Sequence, residues 1–216
     1  MVWVDRAARG PQNRCSPCNS GLPFQAGDSS AHPDEVVMVA YLLLLVAVLS
    51  RVIPHAGLWN FTAVTGGLLY FGARRPWREM LIPLAVLMAT DAFLTIVVYH
   101  YSFRWQSYVI TWIWYLAAMA LGSILLRKQT TFARGAAGAL LGPTGFFLVS
   151  NYGVWASGFN GYPHTLAGLG ACYLAGVPFY RNDLISTAIV LGVALGVPAL
   201  VRRTNASRAQ EALASK

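Results

Sequence analysis

The chain has 216 residues, of which 56% are hydrophobic and only 11% charged, with a mean hydropathy of +0.50. Soluble domains carry about 25% charged residues, so this composition excludes an ordinary soluble domain and indicates a membrane protein. The net charge of +8 does not point to nucleic acid, because the basic residues form short clusters between apolar runs rather than one basic face.

Residues 1–34 mix Arg6, Arg9 and Arg14 with Pro11, Pro17, Pro23 and Pro33 and several Gly and Ser. No periodicity runs through them, so a disordered tail is expected. Met38 stands at the edge of the first apolar run, which raises the reading that translation starts there and that the tail is an artefact. Cys15 and Cys18 form an isolated Cys-x-x-Cys pair with only His32 nearby, too few ligands for zinc. No metal and no cofactor is expected.

The first apolar run, Val36–Val52, has about the minimum length of a membrane span. Phe61–Ala73 is shorter and contains Gly66-Gly67, so it reads as a short or bent helix. Met80–Tyr99 carries Pro83 in its first turn, where proline is tolerated. Ser107–Leu126 is long enough to cross. Gly135–Trp155 is interrupted by Gly142-Pro143, which predicts a kink. Leu166–Val177 is apolar but short, and Leu184–Val201 closes the series. Gly138-x-x-x-Gly142, Gly192-x-x-x-Gly196 and Ala118-x-x-x-Gly122 each permit close helix approach.

Counting basic residues decides how these runs are threaded. If Leu166–Val177 stays on the surface, six spans result and both termini share one side. Thirteen of the 16 Lys and Arg then lie on that side, and only Arg51, Arg104 and Arg181 lie opposite. The positive-inside rule therefore predicts cytoplasmic termini. The fold expected is an all-α membrane protein: a compact six-transmembrane-helix bundle over residues 35–203, with an extra interfacial or re-entrant outer-face helix at about 165–178. A short basic tail, 204–216, follows. Arg181-Asn-Asp183 would precede the last span, with Asn182 or Asp183 as its N-cap.

The polar and aromatic residues gather on the predicted outer side. Trp59, Tyr99, Tyr101, Trp105, Tyr108, Trp112, Tyr152, Trp155, Tyr162, Tyr173 and Tyr180 lie there, whereas Trp77 alone marks the other interface. Anchoring does not need such an excess, so some of these rings are expected to line an outward pocket. Asp91 lies near the middle of the third run. A carboxylate there costs roughly 2.5–3.5 kcal/mol on insertion scales unless it is protonated or paired. An interhelical hydrogen bond, to Thr90, Asn151 or the second-run backbone, is the favoured reading, and ligand contact, proton coupling or ion binding are the alternatives. Asn151 and Trp155, four apart, share one helix face. His164 could bind a ligand, although most such histidines are merely solvated, and Arg181, a lone outer cation near aromatics, could hold an anionic ligand group. No catalytic motif links the polar residues, so binding without catalysis is expected.

Arg51-Val-Ile-Pro-His55, Asn60-Phe-Thr-Ala-Val64, Thr90-Asp91, Asn151-Tyr-Gly-Val-Trp155, Tyr162-Pro-His-Thr-Leu-Ala-Gly168 and Pro178-Phe-Tyr-Arg-Asn182 together resemble a family of small bacterial integral membrane proteins of uncharacterised function. That family is in turn similar to the substrate-binding S components of energy-coupling factor (ECF) transporters. The resemblance covers about residues 36–201. It implies a bacterial inner-membrane protein with six helices and an outward site for a vitamin-like, ring-containing nutrient. It further implies a lid at His55–Asn60, including Trp59, and walls from Trp112, Asn151, Trp155, His164 and Arg181. Transport would require a membrane coupling subunit and two ATPases in trans, because the chain has no phosphate-binding loop. The Ala-x-x-x-Ala surface that S components present to that subunit is missing here: Leu44 follows Ala40, and Arg51 follows Ala47. A non-transporting scaffold or accessory subunit of a larger membrane complex is the competing reading.

Overall fold

A computed structural model describes residues 33–53, 60–158 and 161–214, which belong to one unit. Residues 1–32 of the tail expected at 1–34, with Cys15, Cys18 and His32, lie outside the described residues, as do His55 and Trp59 of the expected lid. Six α-helices occur among the described residues: α1 (Pro33–Val52), α2 (Val64–Arg74), α3 (Leu81–Phe93), α4 (Val109–Leu126), α5 (Phe132–Ala156) and α6 (Leu166–Ala214). There is no strand among the described residues. A tight turn at Trp77–Met80 leads into α3, and a wider one at Leu94–Val98 leaves it, where Tyr99 N–H bonds to the Leu94 carbonyl.

Local chemistry explains several boundaries. Asp34 and Glu35 in the first turn of α1 and Arg51 in the last oppose the helix dipole at both ends. The Thr131 side chain accepts from Arg134 N–H and caps α5. Five stretches are long and apolar enough to cross a bilayer: Asp34–Val52, Trp77–Val98, Trp105–Leu126, Phe132–Ala156 and Leu166–Arg208. The chain is thus built as a multi-pass membrane protein.

The sixth helix, α2, is different. Its 11 residues extend only about 16 Å, far short of the roughly 30 Å hydrocarbon core. Every residue from Val64 to Ala73 is buried. Side-chain pairs fix its direction. Tyr41 donates to Glu79 at one level and Arg51 pairs with Asp91 ten or twelve residues on, so α1 and α3 run side by side in the same direction. Ala63 N–H bonds to Ser50 at one end of α2, and Arg75 lies over the Tyr41 ring at the other. The helix α2 therefore returns antiparallel to both, packed against α1, α4 and α6. Its backbone touches α4 directly: a Cβ on Gly72 would run into the Met119 carbonyl, and one on Gly122 into the Leu69 carbonyl. Small residues here allow packing without intervening side chains.

Three expectations need correction. The separate helix at about 165–178 does not exist, because Leu166–Ala214 is one continuous helix of 49 residues. Asn182 and Asp183 consequently lie inside a helix and do not cap one; both are buried, facing the bundle where the Asp183 carboxylate accepts from Thr65 and Thr187. Residues 204–214, within the expected basic tail, are the last part of that helix. The helix α5 likewise runs unbroken through Pro143, whose ring is fully buried in the packed interior.

Candidate binding site

The carboxylate of Asp91 is completely enclosed. Arg51 Nη2 approaches Oδ1 at 2.5 Å, and Trp112 Nε1–H donates to Oδ2 at 2.9 Å. Tyr115 closes the ring, accepting from Arg51 Nη1 at 3.0 Å and lying 3.5 Å from Oδ2. Buried charge is tolerated only when paired and hydrogen-bonded in this way. One turn further, Thr95 bonds both to the Asp91 carbonyl and to the Tyr108 hydroxyl. Tyr108 stacks on both Phe103 and Trp112, with ring centroids 5.4 and 6.0 Å away, and those two rings also meet at 6.4 Å. The expected interhelical role of Asp91 is therefore present, but its partners are Arg51, Trp112 and Tyr115, not Thr90 or Asn151.

Beside this network lie two adjoining cavities. The first, of about 200 Å³, is bounded by Arg51, Asn60, Thr65, Asp91, Trp114 and Asp183. The second, of about 230 Å³, is bounded by Asn60, Phe146, Phe147, Asn151, Tyr180 and Asp183. Asn60, Phe146 and Asp183 border both. Asn60 holds φ 61°, a left-handed conformation that asparagine accepts more readily than most residues.

Two polar groups on these walls are not neutralised by a charge partner. Among the described residues the Asp183 carboxylate meets only hydroxyls, Thr65 at 3.3 Å and Thr187 at 3.4 Å. The Trp114 indole N–H is buried and has no hydrogen-bond partner among the described residues. Buried donors are nearly always satisfied, so an orphan on a cavity wall is informative. Among the described residues, no three His, Cys, Asp or Glu side chains converge as metal ligands would.

The remaining sequence candidates separate. Asn60 and Asn151 border the cavities; the Asn151 amide also donates to the Phe147 carbonyl in its own helix. Trp112 stands behind the first cavity, holding Asp91. Trp155 and His164 form a clip at the mouth of the α5–α6 connection. Trp155 Nε1–H donates to the Pro163 carbonyl at 2.9 Å, His164 Nε2 lies 3.0 Å from the Trp155 carbonyl, and the rings meet edge-on at 5.5 Å. Arg181 borders neither cavity and is exposed. Trp59 lies outside the described residues.

Sequence reasoning did not select Arg51, Thr65, Trp114 or Tyr115 as site residues. Arg51 carried a usable signal, since it is a lone cation closing an apolar run while Asp91 is a lone anion within another.

Residues 32–210 match a family described as "Family of unknown function (DUF6580)". The chain belongs to that family. The match spans every element that builds the two cavities, so the site is a property of the DUF6580 region rather than of a terminal extension. No curated protein and no solved structure matched the chain.

Proposed function

We propose that this DUF6580 protein is a membrane-embedded binding subunit for a small ring-containing solute, performing no chemistry on it. The supporting observation is the orphan indole N–H of Trp114 on the wall of a cavity also lined by a carboxylate, Asp183, that has no cation beside it among the described residues. A ligand offering an acceptor to Trp114 and a donor or positive charge to Asp183 would satisfy both. The two cavities together approach the size of small-molecule sites, with aromatic walls and few polar groups. Uptake of a vitamin-like nutrient from the outer face of a bacterial inner membrane, in the manner of ECF S components, is the form of this role we favour. In that arrangement α2 supplies the short return pass of a six-pass bundle, the termini are cytoplasmic, and a coupling subunit with ATPases acts in trans.

The test is native mass spectrometry of the detergent-purified protein. A small molecule should accompany the wild type and be lost from Trp114→Phe and Asp183→Asn. Equal retention by both variants would remove the proposed site. The scaffold reading draws on one observation, the Arg51–Asp91 pair, whose charges are consumed within the chain. An apo wild type that binds no nutrient in equilibrium dialysis against a vitamin panel would favour it.

A further inference from the structure

Arg181 occupies a position that the binding reading does not use. Its neighbour Tyr180 hydrogen-bonds through its hydroxyl to Thr144 at 2.9 Å. Thr144 lies twelve residues from either end of α5, Phe132–Ala156. That helix is matched along its length by α4: Arg134 reaches the Leu125 carbonyl near one end, and Gly153 packs on Ile110 near the other. Tyr180 thus marks the mid-depth of two helices that are each long enough to cross a bilayer. Arg181 sits at this level but faces outward. It makes no hydrogen bond or ion pair with the described residues. The other charged groups near that depth, Arg51, Asp91 and Asp183, lie within the bundle.

The surface around Arg181 is an apolar strip. Leu174, Val177, Ile185, Ile189 and Val193 recur at three- and four-residue spacing, and all are exposed. A guanidinium in the middle of such a strip would face acyl chains, the environment in which charged side chains are rarest. The interface is about 15 Å away, half the hydrocarbon thickness, and an arginine side chain cannot snorkel that far. A lipid headgroup cannot neutralise it at that depth. Nor can a second copy: the described carboxylates are buried (Asp91, Asp183), bonded to Arg75 near the start of α3 (Glu79), or at chain ends (Asp34, Glu35, Glu211).

We propose that the Arg181 face of α6 docks a transmembrane helix of a different protein, and that this helix presents an Asp or Glu to Arg181 at mid-bilayer depth. Arginine suits the role, because its planar fork forms bidentate carboxylate pairs and remains charged in an apolar interface. The apolar residues above and below would pack against the same helix.

The test places a photo-crosslinking amino acid at Val177 or Ile185 in the full chain, expressed in the membranes of its own organism, and maps the product by mass spectrometry. The expected product joins α6 to a transmembrane segment of another protein containing Asp or Glu. Arg181→Leu should reduce it at least tenfold while leaving the detergent melting temperature unchanged. Arg181→Glu should abolish it, and combining Arg181→Glu with a change of the partner's acid to arginine should restore it. Products with lipid or a second copy alone, or equal yield from Arg181→Leu, would overturn the proposal. Because Arg181 borders neither cavity, ligand retention is read separately from this result.

Discussion

The helices α2 and α6 are opposite solutions to the same problem. The first has 11 residues and is buried on every side; the second has 49, extends about 73 Å, and touches its neighbours along one face only. By local propensity α2 should be the weaker, since three of its residues are glycine. Packing reverses that ranking. The missing side chains let α2 lie directly on the backbone of α4, and contact replaces propensity as the source of stability. In α6, Gly192 and Gly196 have nothing within 4 Å. The same residue type is structural in α2 and idle at these two positions of α6, although Gly176, nearer the start of α6, packs closely on Asn151.

Substitutions can break this contrast. Gly72→Leu has the largest expected effect, because the new side chain must displace the Met119 backbone; folded protein should disappear from size-exclusion profiles in detergent. Arg51→Leu comes next. It strands the buried Asp91 carboxylate among α1, α3 and α4, and should cost about 3–5 kcal/mol in a denaturation midpoint. Arg51→Leu with Asp91→Leu should recover much of that loss, since no lone charge remains. Trp155→Phe removes one hydrogen bond at the start of α6 and should cost about 1 kcal/mol. Gly192→Ala should stabilise slightly, by about 0.5 kcal/mol, because space is open and alanine is the better helix former. A Gly192→Ala loss comparable to that of Gly72→Leu would end the comparison.

How much was legible follows from which signals are local. Hydropathy located five long apolar helices, and the shortness of Phe61–Ala73 with its paired glycines marked the unusual second one. Asp91 was recognisable as a paired charge because a solitary carboxylate in hydrocarbon is costly. Its partner was not, because Arg51 lies 40 residues away and read equally well as a topology signal. The largest error, dividing α6, came from treating Arg181-Asn-Asp183 as a boundary. At 100° per residue those three side chains point in different directions, so one can face outward while the next two are buried. An average over a sequence window loses that distinction. The helix also continues through Pro178.

The burial of α2 also bears on how the protein is made. An 11-residue segment is too short to be recognised by the insertion machinery as a span in its own right. The surfaces that accept it belong to α1, already synthesised, and to α4 and α6, which emerge later. The segment can therefore pack on α4 only after α4 has been made. Gly72 then meets the Met119 backbone, and Gly122 the Leu69 backbone. Obstructing their contact would arrest biogenesis half-way, leaving a chain that is membrane-bound yet unthreaded and exposed to quality-control proteolysis.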